Sequence, residues 1–278
     1  LSGLAVFVSM AALLAVAKML TNALPQSQAG VFFLLLLCAD FLNLAFSLGL
    51  NVSLPKLVAG AEPGARPRIV AASLTGVALV GAGVAAVVLT LWLLGPPPAW
   101  LPRTGKLAGA WPWAWLVAPL FLTGVLRDTA MAAHAGLHAY GRRAAAIVTA
   151  SAVQVTLVFG FVWLAGGGLT VMTLCTAAAY ALAVAWLFAA LPEGRRPCID
   201  WGLFRGLVRF SRPLYVNNLL NFAFQRLDTM LVALLLGGAQ IAAVYEIAKR
   251  FPIILSRGLN AALVPFLPNI SRLLAAGR

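Results

Sequence analysis

Ten charged side chains fall inside long apolar runs of this sequence, and they are the residues with chemistry to offer. The bases are Lys18, Arg127, Arg226, Lys249, Arg250 and Arg257, and the acids are Asp40, Asp128, Asp228 and Glu246. A charge at membrane depth costs on the order of 2.5–3.5 kcal/mol on insertion scales, so the set implies a polar interior or a water-filled cavity rather than lipid contact. Six bases against four acids give a net +2. That sign suits an anionic substrate group such as a phosphate.

Each of these residues also has an ordinary reading. Lys18 and Arg257 lie toward the ends of their runs and can snorkel to the interface. Glu246, Lys249 and Arg250 share a helical face and can neutralise one another. Arg127 and Asp128 are adjacent, and a tie to a neighbouring helix competes with a functional role. Arg226 and Asp228 differ: two residues apart on a helix, they project roughly 200° apart and cannot pair with each other. Asp40 has no base within four residues. An Asp40–Arg226 bridge therefore stands beside a substrate or ion site as an open alternative. Pro252 removes a helical hydrogen bond to the carbonyl of Ala248 and is a candidate hinge beside Lys249 and Arg250, as is Pro119 in its own run.

The elements that must position these groups are membrane helices. Of 278 residues, 62% are hydrophobic and 10% charged, far from the composition of a soluble domain. About 20 apolar residues cross a bilayer core of about 30 Å. Eight runs of that kind are present, at Leu1–Leu20, Gly30–Leu50, Val70–Leu94, Trp113–Leu137, Ala144–Ala165, Leu169–Leu191, Pro213–Leu236 and Ile241–Val264. The expected fold is an all-α polytopic membrane protein with eight transmembrane helices. Residues 1–191 form a six-helix bundle, 192–212 a cytoplasmic linker, and 213–278 the first two helices of a second, parallel-repeat bundle.

The net charge of +13 does not indicate nucleic acid, because the bases sit between apolar runs rather than on a polar surface interleaved with aromatics. Twelve bases fall in the turns after runs two, four and six and in the tail, and two fall on the other side. The positive-inside rule then places the N-terminus in the cytoplasm, with "WPWAW" at 111–115 as an outer aromatic belt. In "IDWGLFRGLVRFSRPL", Trp201, Phe204, Leu207 and Val208 recur at helical spacing beside Arg205, Arg209 and Arg212. This reads as a short basic helix lying on the inner leaflet, or as an ordinary juxtamembrane anchor. Cys38, Cys175 and Cys198 are expected as free thiols.

An internal repeat organises the chain. "GLNVSLPKL" at 49–57 is echoed by "GLNAALVPFL" at 258–267, and "QAGVFF" at 28–33 by "AAVYE" at 242–246. Runs one and two thus correspond to runs seven and eight, as expected for two six-helix halves of which the second is cut short at its C-terminal side. No enzyme is expected: the cytoplasmic loops hold Glu62, Glu193 and Asp200 as their only acids, with no paired carboxylates. No cofactor or metal is expected either. His134 and His138 lack a third ligand at helical spacing, and packing against the helix interior is the favoured reading.

The stretch "LPQSQAGVFFLLLLCADFLNLAFSLGLNVSLPKLVAG" (24–60) resembles the N-terminal signature of polysaccharide biosynthesis proteins, the Wzx-type lipid-linked oligosaccharide flippases. "FSRPLYVNNLLNFAFQRLDTMLVALLLGG" and the residues after it (210–277) resemble the start of their second half. The pattern shades into the multidrug extruders of the same superfamily. The resemblance implies two helical bundles around a V-shaped cavity that alternates between inward-open and outward-open states. It implies transport of a polyprenyl-pyrophosphate-linked oligosaccharide across a bacterial cytoplasmic membrane for cell-surface polysaccharide assembly. Arg226, Lys249 and Arg250 would then contact the pyrophosphate, and Asp40, Asp228 and Glu246 would couple ions or orient those cations. Membrane lipids are implied partners, as are glycosyltransferases or a polysaccharide polymerase. The alternatives are a multidrug-extrusion-type cation antiporter and a non-transporting scaffold subunit of a glycan-assembly complex.

Overall fold

The computed structural model describes residues 2–95, 108–191, 198, 200–233, 235, 239–249 and 252. All regular structure among them is helical: α1 (Ser2–Ala23), α2 (Gln26–Phe46), α3 (Leu50–Gly60), α4 (Arg66–Leu93), α5 (Val117–Gly136), α6 (Tyr140–Leu157), α7 (Leu169–Ala189), α8 (Trp201–Val232) and α9 (residues 239–249). In hydrocarbon a helix satisfies its backbone within its own segment, which is why apolar runs of this length take that form. Five helical segments are long and apolar enough to cross a membrane, namely Gln26–Phe46, Arg66–Leu93, Ala110–Gly136, Tyr140–Leu164 and Leu169–Ala189. The protein is an all-helical membrane protein. The distal part of the expected eighth run lies outside the described residues, as does the second copy of the GLN repeat.

Helix α5 occupies the centre of the first bundle and packs against α2, α3, α4, α6 and α7. Phe121, Val125, Ala130 and Ala133 on it are buried. One apolar cluster gathers Phe32, Phe121, Leu116 and Met172, and a second gathers Leu54, Val70, Ala133 and Leu187. A 3₁₀ helix, Ala108–Leu116, leads directly into α5. Pro119 lies at the junction of this 3₁₀ helix with α5, as the third residue of α5. At the other end of the α5–α6 hairpin, α6 continues into a π-helix, Val158–Leu164.

Two expected boundaries are corrected. The second run, expected as Gly30–Leu50, breaks at Leu48 and Gly49, both at positive φ (53° and 75°), and the chain restarts as α3. Gly49 also lies where a Cβ would meet the Ser211 carbonyl and Tyr215 at 3.0–3.1 Å. The seventh run does not start at Pro213, and among the described residues the basic segment is not a separate helix. Residues 201–232 form one helix of 32 residues with Pro213 inside, about 48 Å long at the standard rise. Contacts on both sides of the proline hold the helix together. Ser211 meets Ser53 of α3 through a short hydroxyl–hydroxyl bond, and Tyr215 lies against Gly49. Phe204 packs on Gly76 of α4, while Arg205, Arg209 and Arg212 face outward.

Asp200 caps the start of this helix. Its Oδ1 accepts the Leu203 N–H at 2.9 Å, and its Oδ2 accepts from Arg68 at 2.6 Å. The Leu203 N–H and then Arg68 hold its carboxyl below the ordinary carboxylate range. Beyond α8, the first described residue of α9, Ala239, comes so close to α2 that a Cβ on Gly30 would overlap its carbonyl. Helices α8 and α9 are thus laid along the α2–α3 side of the first bundle.

Candidate functional site between α2, α8 and α9

Five of the charged residues singled out by the sequence converge here. Arg226 of α8 stands between two carboxylates on different helices: Nη2 is 3.4 Å from Asp40 Oδ2 of α2, and Nη1 is 3.3 Å from Glu246 Oε1 of α9. Asp40 is half-exposed, whereas the Glu246 side chain is only 6% accessible. The Thr229 hydroxyl donates to the same Glu246 oxygen at 2.9 Å.

One helical step away, Asp228 makes a separate set of bonds. Lys249 Nζ lies 2.6 and 2.7 Å from its two oxygens, and the Tyr245 hydroxyl donates to Oδ2 at 2.7 Å. Lys249 also donates to the backbone carbonyl of Gln225. Arg226 and Asp228 take partners of their own, although both are met by α9. The pairing of Glu246 with Lys249 along α9 is not formed. Both residues reach across to α8 instead, because Asp228 and Arg226 present complementary charges on the facing helix at contact distance.

A second polar group sits deeper in the first bundle. Arg127 pairs with its neighbour Asp128 through Nε (3.0 Å) and Nη2 (2.8 Å), and Asn43 of α2 donates to the other Asp128 oxygen at 2.7 Å. The Arg127 guanidinium lies 3.9 Å from the centre of the Tyr180 ring of α7, a cation–π arrangement. Asn43 stands three residues from Asp40 on α2, so both polar groups are fixed to one helix face.

The remaining residues fall elsewhere. Lys18 is exposed on α1, and its carbonyl accepts from Thr21. Arg250 and Arg257 lie outside the described residues. Pro252 is an exposed helical residue whose immediate neighbours are likewise not described. Among the described residues of the cluster, two bases, Arg226 and Lys249, face three acids, Asp40, Asp228 and Glu246. His134 is buried, with Nε2 at 2.9 Å from the Leu187 carbonyl, and His138 lies past the helix end at positive φ.

Thr229, Tyr245, Asn43 and Tyr180 were not singled out by the sequence. A signal exists for two of them. Tyr245 is four residues before Lys249, and Asn43 is three after Asp40, spacings that put each on the face of its charged neighbour.

A profile of the family described as polysaccharide biosynthesis protein matches residues 118–275, more than half of the chain. Comparison with curated proteins gave no match. Among solved structures, the fold is similar to that of a MOP superfamily transporter from Pyrococcus furiosus, described as having a binding pocket of reverse polarity that suggests a different function. The TM-score is 0.66 at 17% identity, over 93% of this chain and 60% of that one. An outward-facing multidrug resistance MATE family transporter of the MOP superfamily matches with a TM-score of 0.65 at 16% identity, over 94% of this chain and 61% of that one. A mutant of a MATE protein gives 0.53 at 20% identity, over 94% and 62%. The chain spans about 60% of the length of the transporters whose fold it shares.

Proposed function

The chain belongs to the polysaccharide biosynthesis protein family, and from that premise we propose that it serves a flippase. Its cargo is a polyprenyl-pyrophosphate-linked oligosaccharide, carried by alternating access across a bacterial cytoplasmic membrane with the N-terminus in the cytoplasm. The observation that carries this reading is Arg226, held between carboxylates of α2 and α9. A guanidinium binds a phosphate with the same fork it offers a carboxylate. An incoming pyrophosphate can therefore exchange with half-exposed Asp40 for Arg226 while Glu246 keeps its hold. Lys249, tied to Asp228, is the second cation within the same interface. Exchange of this kind separates α2 from α8, and that separation is the opening an alternating-access cycle requires. Glycosyltransferases or a polysaccharide polymerase are the partners such a role entails.

The test is translocation of a labelled lipid-linked sugar by the full-length protein in liposomes. Arg226→Ala should abolish it; undiminished translocation by that variant would exclude the assigned role. A cation antiporter of the multidrug type is the second reading, favoured by one observation: among the described residues of the cluster, three acids face two bases. Drug-dependent proton flux with no movement of lipid-linked sugar would select it.

A further inference from the structure

Inside the first bundle, apart from the α2–α8–α9 cluster, α1, α5, α6 and α7 enclose a partly open cavity of about 360 Å³. Its polar wall consists of Ser9, Arg127, Ser151, Gln154 and Tyr180. The volume exists because α6 and α7 present small residues there, Ala146, Ala150 and Ala183 among them. At membrane depth a polar space of this size is costly, and helix packing normally closes it.

The chemistry of the wall is one-sided. Among the described residues that line it, the single charged one is a cation, joined by hydroxyl and amide groups, with no acid. The nearest carboxylate, Asp128, is turned to the arginine and to Asn43, which occupy its two oxygens. Sodium and other hard cations need oxygen ligands, usually with a carboxylate among them, and a guanidinium repels them. An anion finds the reverse: a positive charge and hydrogen-bond donors lining one partly open space.

We propose that this cavity is a binding site for a small inorganic anion of chloride size, held by Arg127 with Ser151 and Tyr180 as hydroxyl donors. The anion competes with Asp128 for the guanidinium. Asp128 is tied through Asn43 to α2, the helix whose Asp40 holds Arg226. Occupancy of the cavity therefore loosens one of the fastenings of α2 inside the bundle and bears on the link between α2 and α8. The site does not depend on the identity of the transported molecule.

The experiment measures thermal unfolding of the purified full-length protein in nanodiscs, by intrinsic tryptophan fluorescence. Sodium gluconate is replaced stepwise by sodium chloride or bromide at constant sodium and ionic strength. A saturable rise in Tm with chloride or bromide is expected, absent in Arg127→Gln. Asp128→Asn frees the guanidinium from its carboxylate and should tighten the half-saturating chloride concentration roughly tenfold, the scale of one charge-assisted hydrogen bond. Ala150→Leu fills the cavity without touching the charge and should abolish the response, which decides the matter if Arg127→Gln does not fold. Three results would overturn the assignment: an equal response to gluconate and chloride, a chloride response retained in Ala150→Leu, or weaker chloride binding in Asp128→Asn.

Discussion

Arg226 Nη2 lies 3.4 Å from Asp40 Oδ2, joining α8 to α2 across a line of close contacts that runs from Phe204 on Gly76 to Ala239 on Gly30. It is one of two ion pairs among the described residues that tie α8 to the first bundle. The other, Arg68–Asp200, sits at the start of α8. An exposed or half-exposed pair of this kind contributes little to stability. Its value lies in being exchangeable.

If the interface must open during transport, fixing it should stop turnover. In a background with Cys38, Cys175 and Cys198 replaced by Ser, Asp40→Cys with Arg226→Cys should crosslink with a short bifunctional thiol reagent. Because that pair also removes Arg226, the translocation assay is best run on Phe41→Cys with Phe222→Cys, whose native rings lie 5.8 Å apart. Crosslinking there should halt translocation, and a reducible linker should restore it on reduction. Full turnover in the crosslinked protein would show that α2 and α8 do not separate.

Thr229 is 1% accessible and gives its hydroxyl proton to Glu246. Thr229→Val keeps the shape but leaves a buried carboxylate one donor short, a loss of about 1.5–3 kcal/mol for a hydrogen bond to a charged group. Thr229→Ser, which retains the donor, should recover most of the lost Tm. Equal Tm values for the Val and Ser variants would show that the bond is not worth its burial.

Gly30 offers a steric test of the α2–α9 contact. A Cβ there would sit 1.7 Å from the Ala239 carbonyl oxygen, and backbone cannot swing aside as a side chain can. Gly30→Val should detach α9 from α2 and raise protease sensitivity around residues 235–249, while the α5-centred bundle keeps its Tm. Gly60→Val, where nothing lies within 4 Å, is the neutral control.

Asp200 supplies a pH dependence with a defined sign. Its carboxyl is held below the ordinary range, first by the Leu203 N–H and then by Arg68. A group with a depressed folded pKa stabilises above its unfolded value, about 3.9, and that stabilisation is lost as pH falls through the folded value. Amide hydrogen exchange at Leu203 and Phe204 should therefore accelerate below about pH 4 relative to the α8 interior. Asp200→Asn, which retains a cap oxygen but no charge, should flatten that dependence.

The twofold character of α8 was only half legible in the sequence. The helical spacing of Trp201, Phe204, Leu207 and Val208 is real, and so is the outward display of Arg205, Arg209 and Arg212. What pattern could not supply was continuity through Pro213. A proline marks a boundary when nothing else fastens the helix, and here Ser53 and Gly49 secure both flanks. The same holds at Gly49, where an apolar run long enough to span was broken by two left-handed residues that periodicity does not register.

The sequence by itself determined that the chain lies in a membrane and is helical, and that Arg226 and Asp228 cannot serve each other. These follow from local quantities: apolar run length, charge cost and the angle between neighbouring positions on a helix. Only the tertiary structure decided the partners. It set Arg226 between Asp40 and Glu246, sent Lys249 to Asp228 rather than along its own helix, and turned Asp128 away from the cavity that Arg127 lines. Helices far apart in the chain meet through packing of small residues such as Gly30 and Gly76. Which charge then stands opposite which depends on their relative rotation, a quantity no single segment contains.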